Sequence, residues 1–187
     1  MSEEIANVMT SCKAHMDGSI EHLRSELTKI RTGKASPAML DGIKVDYYGN
    51  PTMLSQVANL STPDSKTIAI QPWEKSMLGN IEQAIFAANL GLTPMNDGEF
   101  VRIMIPPLTE ERRIQLVKVA KSLGEDTKVS VRNERQKIMA TIKAEVKNGF
   151  PEDQGKKTEA QVQNLVNGYG ETINKLIEAK EKDIMTV

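Results

Sequence analysis

The chain has 187 residues, of which 39% are hydrophobic, 26% charged and only 4% aromatic, with a formal net charge of −1. That composition excludes bulk disorder, and any core must rest on aliphatic side chains and the ten methionines rather than on stacked rings. A charge so close to zero also excludes a global field as the route to nucleic acid, so such a partner has to be met by a local basic patch.

The first residues, Met1-Ser2-Glu3-Glu4, are acidic and lack both the apolar run of a secretory signal and the arginines of a transit peptide. No stretch of about 18 apolar residues occurs, so no membrane span is expected. One cysteine, Cys12, cannot form an internal disulfide and fits an intracellular, reducing compartment. Next, Ile5, Val8, Cys12, Met16, Ile20, Leu23, Leu27 and Ile30 recur at spacings of three and four, which predicts a long amphipathic helix. Ser2 is placed to cap it, and Gly33 and Pro37 to end it.

The middle of the chain, residues 31–105, loses that period. Ile43, Val45 and Tyr47 alternate with polar residues ahead of the turn Tyr48-Gly49-Asn50-Pro51. Residues 67–70 predict a second strand, and Met77, Ile81, Ile85 and Ala88 a helix. Residues 90–94 and 101–105 predict two more strands around Asn96-Asp97-Gly98. Helical spacing then returns. Val117, Ala120, Gly124, Thr127, Val131, Ile138, Ile142 and Val146 follow a cap at Thr109, and Asn148-Gly149 with Pro151 stops that helix. Gly124 is its weak point, a place for a bend or for a close neighbour. The last stripe runs Val162, Leu165, Tyr169, Ile173, Leu176 and Ile184. The fold class expected is α+β: an elongated three-helix bundle of residues 1–30 and 106–187, carrying an inserted small α+β domain at 31–105. Gly33, Pro37, Pro106 and Pro107 mark two short connections that together suit a hinge.

Catalytic chemistry finds no foothold. His15 and His22 stand two turns apart, too far to ligate one metal without other donors. Cys12 lies within an apolar stripe with no base beside it in sequence. Thr32-Gly33-Lys34-Ala35-Ser36 lacks the leading glycine of a phosphate-binding loop. The seven aromatic residues are scattered, so no base-stacking motif is visible. Positive charge is the feature that stands out. Lys128, Arg132 and Arg135 fall at i, i+4 and i+7 on one helix face, with Glu134 the sole acid between Lys128 and Lys143. Arg31 lies in the first connection, and Arg112 and Arg113 follow the second. Spacing alone leaves two readings open: a solvated face, or a ridge of guanidinium groups for phosphates.

Several stretches carry a resemblance. Lys29-Ile30-Arg31-Thr32-Gly33-Lys34-Ala35-Ser36-Pro37 with Leu40-Asp41-Gly42-Ile43 resembles the hinge-entry motif of the bacterial ribosome recycling factors. Tyr47-Tyr48-Gly49 with Pro51-Thr52 is similar to their first hairpin, and Leu90-Gly91-Leu92 with Pro94 to the end of their inserted domain. Pro106-Pro107-Leu108-Thr109-Glu110-Glu111-Arg112-Arg113 resembles the hinge exit, and Val131-Arg132-Asn133 with Arg135 the central helix motif. The resemblance implies an L-shaped molecule with no catalytic activity and no cofactor. It also implies action as a monomer in the cytoplasm, where it binds large-subunit ribosomal RNA. With elongation factor G and GTP, it would split post-termination ribosomes as a hinged lever. Arg132 becomes the foremost RNA contact, with Lys128, Arg135, Arg112, Arg113 and Arg31 as companions. Lys34 departs from the family's frequent arginine, and Lys128 supplies a point charge where some members carry a guanidinium. Two rivals from other classes are a helical adaptor for a protein partner and an enzyme acting on RNA.

Overall fold

The computed structural model describes residues 2–186. In chain order they form α1 (Glu3–Thr28), β1 (Lys44–Tyr47), β2 (Asn50–Met53), α2 (Leu54–Val57), β3 (Ala58–Asp64), β4 (Thr67–Pro72), α3 (Leu78–Ala87), β5 (Pro94–Asn96), β6 (Val101–Met104), α4 (Glu110–Lys147) and α5 (Glu152–Met185). Single 3₁₀ turns at Pro37–Leu40 and Lys75–Met77 complete the set. The fold is α+β. It divides into two compact units: Met1–Thr32 with Glu110–Val187, and Gly33–Thr109.

The first unit consists of α1, α4 and α5. The Ser2 hydroxyl accepts the Ile5 N–H at 3.2 Å, the cap that the sequence predicts. Ile5, Cys12, Met16, Ile20, Leu23 and Leu27 are buried along one stripe, whereas Val8 and Ile30 are only partly covered. α1 stops at Thr28, ahead of both Gly33 and Pro37, because the Lys29 N–H turns back to the carbonyls of Glu26 and Leu27. At the other end of the unit, α4 closes through glycine. The Gly149 N–H donates to Val146 O at 3.2 Å and the Phe150 N–H to Glu145 O at 2.9 Å, with Gly149 at φ +106°. That is the paired bonding of a Schellman cap, which requires a left-handed residue and so selects glycine.

The short α4–α5 turn folds α5 back along α4. A Cβ on Gly155 would lie 2.8 Å from Val146 Cγ2, and one on Gly124 2.7 Å from Ile177 Cγ1. Both glycines therefore exist to let the two helices approach, and α4 runs through Gly124 unbroken over 38 residues. α1 packs antiparallel to α4 in turn, which places His15 opposite Glu134 and His22 near Asp126. α1 and α5 meet where the Tyr169 hydroxyl donates to the Asp17 carboxylate. Of the last predicted stripe, Val162, Ile173 and Ile184 are buried, while Leu165, Tyr169 and Leu176 stay partly exposed.

The second unit has an antiparallel four-stranded sheet in the order β3-β4-β6-β5 and a separate β1–β2 hairpin. The hairpin turn holds Tyr48 at φ +49° and Gly49 at φ +84°, the two left-handed residues of a two-residue turn matched to strand twist. Ile68 and Ile70 of β4 and Val101 and Ile103 of β6 join Ile81 and Ile85 of α3, Val45, Leu54 and Leu40 in one core. Four features differ from expectation, the first being that Asn50 and Pro51, expected in the turn, open β2. β3 went unpredicted because it is an edge strand: only Ala58 is buried, and Asn59 and Ser61 to Asp64 are exposed, so no apolar alternation marks it. α2, a single turn, is too short for a period. Residues 90–93 are not a strand, since Asn89 and Gly91 both adopt positive φ (+50° and +70°) and the ladder begins only at Pro94. At the boundary of this unit, the Ala35 N–H donates to Ser65 O at 2.8 Å and the Ile105 N–H to Lys66 O at 2.7 Å. Both connecting segments are thus clamped to one turn, that between β3 and β4.

Candidate nucleic-acid interface

Along α4, residues four and seven apart project from one side at a rise of about 1.5 Å per residue, so Lys128, Arg132 and Arg135 form a row roughly 10 Å long. Arg132 is exposed, and among the described residues it makes no hydrogen bond or ion pair. Lys128 retains 27% of its side-chain exposure and lies 3.3 Å from Glu125 one turn earlier. Arg135 is partly buried and donates through Nε to Gln163 Oε1 of α5 at 2.9 Å, while Gln163 donates onward to Asn167 Oδ1 at 2.9 Å. The partner of Arg135 is a neutral amide, so the guanidinium keeps its net charge for something outside the chain. Gln163 escaped the sequence reading. A lone glutamine beside an apolar stripe carries no signal until α5 is folded against α4.

The one acid in this stretch is turned away from the row. Glu134 faces α1 with 12% of its side chain exposed, accepting Lys137 Nζ at 2.7 Å on Oε1 and His15 Nδ1 at 3.3 Å on Oε2. The Lys137 ammonium, helped by Cys12 and His15, holds the Glu134 carboxyl below its ordinary range, although burial opposes this. Burial, and then Glu134, push the Cys12 thiol up to about 11, so Cys12 stays protonated and unreactive, as its place in the stripe suggested. The carboxylate is thereby neutralised inside the unit rather than among the arginines. Among the described residues no group of three His, Cys, Asp or Glu is arranged to hold a metal ion.

The remaining candidates do not join this row. Arg113 lies within about 60° of Lys128 around the helix but roughly 22 Å away along it, and Arg112 points about 160° from Lys128. Arg112 bonds Gln115 Oε1 through Nη1 at 3.2 Å, and the buried Nε of Arg113 has no hydrogen-bond partner among the described residues. Arg31 is exposed beyond the end of α1. Of the connection residues, Gly33 sits at φ +76° with Leu108 Cγ 3.1 Å from where a Cβ would be, and Pro37 opens a 3₁₀ turn capped by Ser36. Pro106 and Pro107 are exposed and lie outside any helix or strand.

Comparison with known proteins bears on the identity of this arrangement. The profile of the family described as Ribosome recycling factor matches residues 23–185. The ribosome-recycling factor of Flavobacterium johnsoniae is 52% identical over 187 residues, covering all of both chains. A solution structure of the ribosome recycling factor superposes with a TM-score of 0.78 at 37% identity, again covering all of both chains. A second solved structure comprises models for the T. thermophilus ribosome recycling factor and the E. coli elongation factor G bound to the E. coli post-termination complex. It matches with a TM-score of 0.62 at 37% identity, over 97% of this chain and 99% of that one. The family profile over residues 23–185, 52% identity to a full-length relative and the same fold along the whole length leave one assignment: this chain belongs to the ribosome recycling factor family, whose members are non-enzymatic factors of protein biosynthesis.

Proposed function

We propose that the protein docks on the large ribosomal subunit through the Lys128–Arg132–Arg135 row and, with elongation factor G and GTP, separates the subunits of the post-termination ribosome. The observation that carries the docking half is the pairing pattern along α4. Among the described residues Arg132 has no partner and Arg135 has a neutral one, while Glu134 is sequestered against α1. Guanidinium groups held this way contact phosphates at fixed geometry and without regard to base identity. Arg31, Arg112 and Arg113 supply further contacts to RNA away from the row. The protein works as a monomer in the cytoplasm, with no bond chemistry of its own, and the GTPase provides the energy.

The lever half rests on the two connections. Ala35 and Ile105 are clamped to the β3–β4 turn, so each connection has an anchored end and bends outside it. Gly33, at positive φ, and Pro106-Pro107, which cannot extend a helix or strand, lie outside the clamps and form the pivot; Pro37 lies just within. The link to elongation factor G draws on the post-termination complex that holds it together with a related recycling factor.

The test is co-sedimentation with purified large subunits across a salt series. Replacing Arg132 with alanine removes a charge-assisted contact of about 1.5–3 kcal/mol. It should also reduce the slope of log affinity against log salt by roughly one. Unchanged affinity would remove Arg132 from the interface, and a salt-independent complex would remove phosphates from it altogether.

A further inference from the structure

The second unit bears a feature unrelated to the basic row. Tyr48 and Trp73 are 73% and 68% exposed, yet the surroundings of Tyr48 are ordered. The Tyr47 hydroxyl donates to Glu74 Oε1 at 2.9 Å and the Tyr48 hydroxyl to Oε2 at 2.8 Å. The two rings meet edge to face with centroids 4.7 Å apart. Trp73, the only tryptophan in the chain, immediately precedes Glu74, and its backbone N–H donates to Val57 O at 3.1 Å. Tyr48 is also held at φ +49°, a conformation that costs a bulky residue energy and that asparagine would adopt more readily. Tertiary structure therefore brings Glu74 onto two phenols 27 and 26 positions away in sequence, and spends strain to keep one ring outward.

The charge around these rings decides what they suit. Gly33–Thr109 contains seven acidic and five basic residues, the wrong sign for a nucleic-acid platform. Phenols that donate to a carboxylate are electron-rich, and both tyrosines are held above their ordinary titration range by Glu74. Electron-rich faces backed by negative charge attract cations. The same unit already contains one filled example of this arrangement. The Arg102 guanidinium lies 4.9 Å from the Phe100 ring centroid while its Nε donates to Asp97 Oδ2 at 2.9 Å. At Tyr48 and Glu74 the ring and the carboxylate are present, and among the described residues no arginine stacks there. The neighbouring cation, Lys75, is directed to Glu99 at 3.8 Å.

We infer that Tyr48 and Glu74, with Trp73 next to Glu74 in the chain, form a docking surface for an arginine-bearing segment of a protein partner, the guanidinium stacking on the exposed Tyr48 ring with Glu74 behind it. This surface is independent of the phosphate contacts proposed for α4. Trp73, adjacent to Glu74 in the chain, supplies the probe, since its emission is the only indole signal of the full-length chain. Titration with a tetra-arginine amide should change that emission saturably. Tyr48→Asn, which removes the ring at a position where asparagine is at ease, should weaken the peptide about 5-fold, the scale of a partly exposed cation–π contact. Glu74→Gln should weaken it comparably while leaving the backbone undisturbed. Absence of a saturable change, equal binding of a tetra-lysine amide, or undiminished binding by both variants would overturn the inference. Tighter saturation by an oligouridylate would overturn it as well and assign the rings to base stacking.

Discussion

The two units solve opposite electrostatic problems with nearly balanced charge. The helical unit carries 19 basic and 18 acidic residues, and the α/β unit five and seven. Neither ratio would announce a binding face. What differs is where each fold puts its acids. In the helical unit Glu134 is folded against α1 under Lys137 and His15, which leaves an outward row of cations. In the α/β unit Glu74 is held at the surface by two tyrosine hydroxyls and Asp97 by the N–H groups of Glu99 and Phe100, so carboxylates back the aromatic rings. Partner preference here is a matter of which charges are turned inward, and net charge says little about it.

The largest effect that could break this contrast comes from the helical core. Ile138 is fully buried on α4. Ile138→Ala should destabilise the bundle by about 2–5 kcal/mol. The loss should be visible in far-UV circular dichroism while the Trp73 emission transition stays in place. Coincident movement of both signals would make the molecule one cooperative body. A smaller effect is expected at the connection. Gly33 has φ +76° and Leu108 3.1 Å from its absent Cβ, so Gly33→Ala should cost roughly 1–2 kcal/mol of left-handed strain. That loss should register in the Trp73 transition and leave the helical signal unchanged.

The smallest effect is one of pH. The N–H groups of Phe100 and Glu99, and then Arg102, lower the Asp97 carboxyl from its ordinary 3.8 to about 2. A group depressed in the folded state stabilises it fully above the ordinary value, and that contribution is lost as pH falls through the folded value. The α/β unit should therefore lose stability between about pH 4 and pH 2, and Asp97→Asn should flatten that part of the curve. An identical pH profile for the variant would show that the Asp97 turn contributes nothing measurable.

The long helices were legible because burial on one face leaves a period in the sequence. Leu23 and Leu27, Val131 and Ile138, Val162 and Ile173 are all apolar where three- and four-residue spacing requires it, and all are buried. The turn at Tyr48-Gly49 was legible for a different reason, the glycine it needs, although Asn50 and Pro51 beyond it belong to β2. β3 was not, because an edge strand with one buried residue has no pattern to read. Within the candidate interface, the i, i+4, i+7 row followed from helix geometry. The grip of Gln163 on Arg135 and the inward turn of Glu134 did not, as both depend on residues 28 and 119 positions away.

The sequence by itself determined the three long helices, the α+β insertion between them and the one face of α4 on which Lys128, Arg132 and Arg135 must lie, since each follows from local periodicity. Only the tertiary structure decided which of those charges remain unspent and that Tyr47 and Tyr48 converge on Glu74. Pairing across elements depends on which side chains packing brings within about 3 Å, and no local period records that.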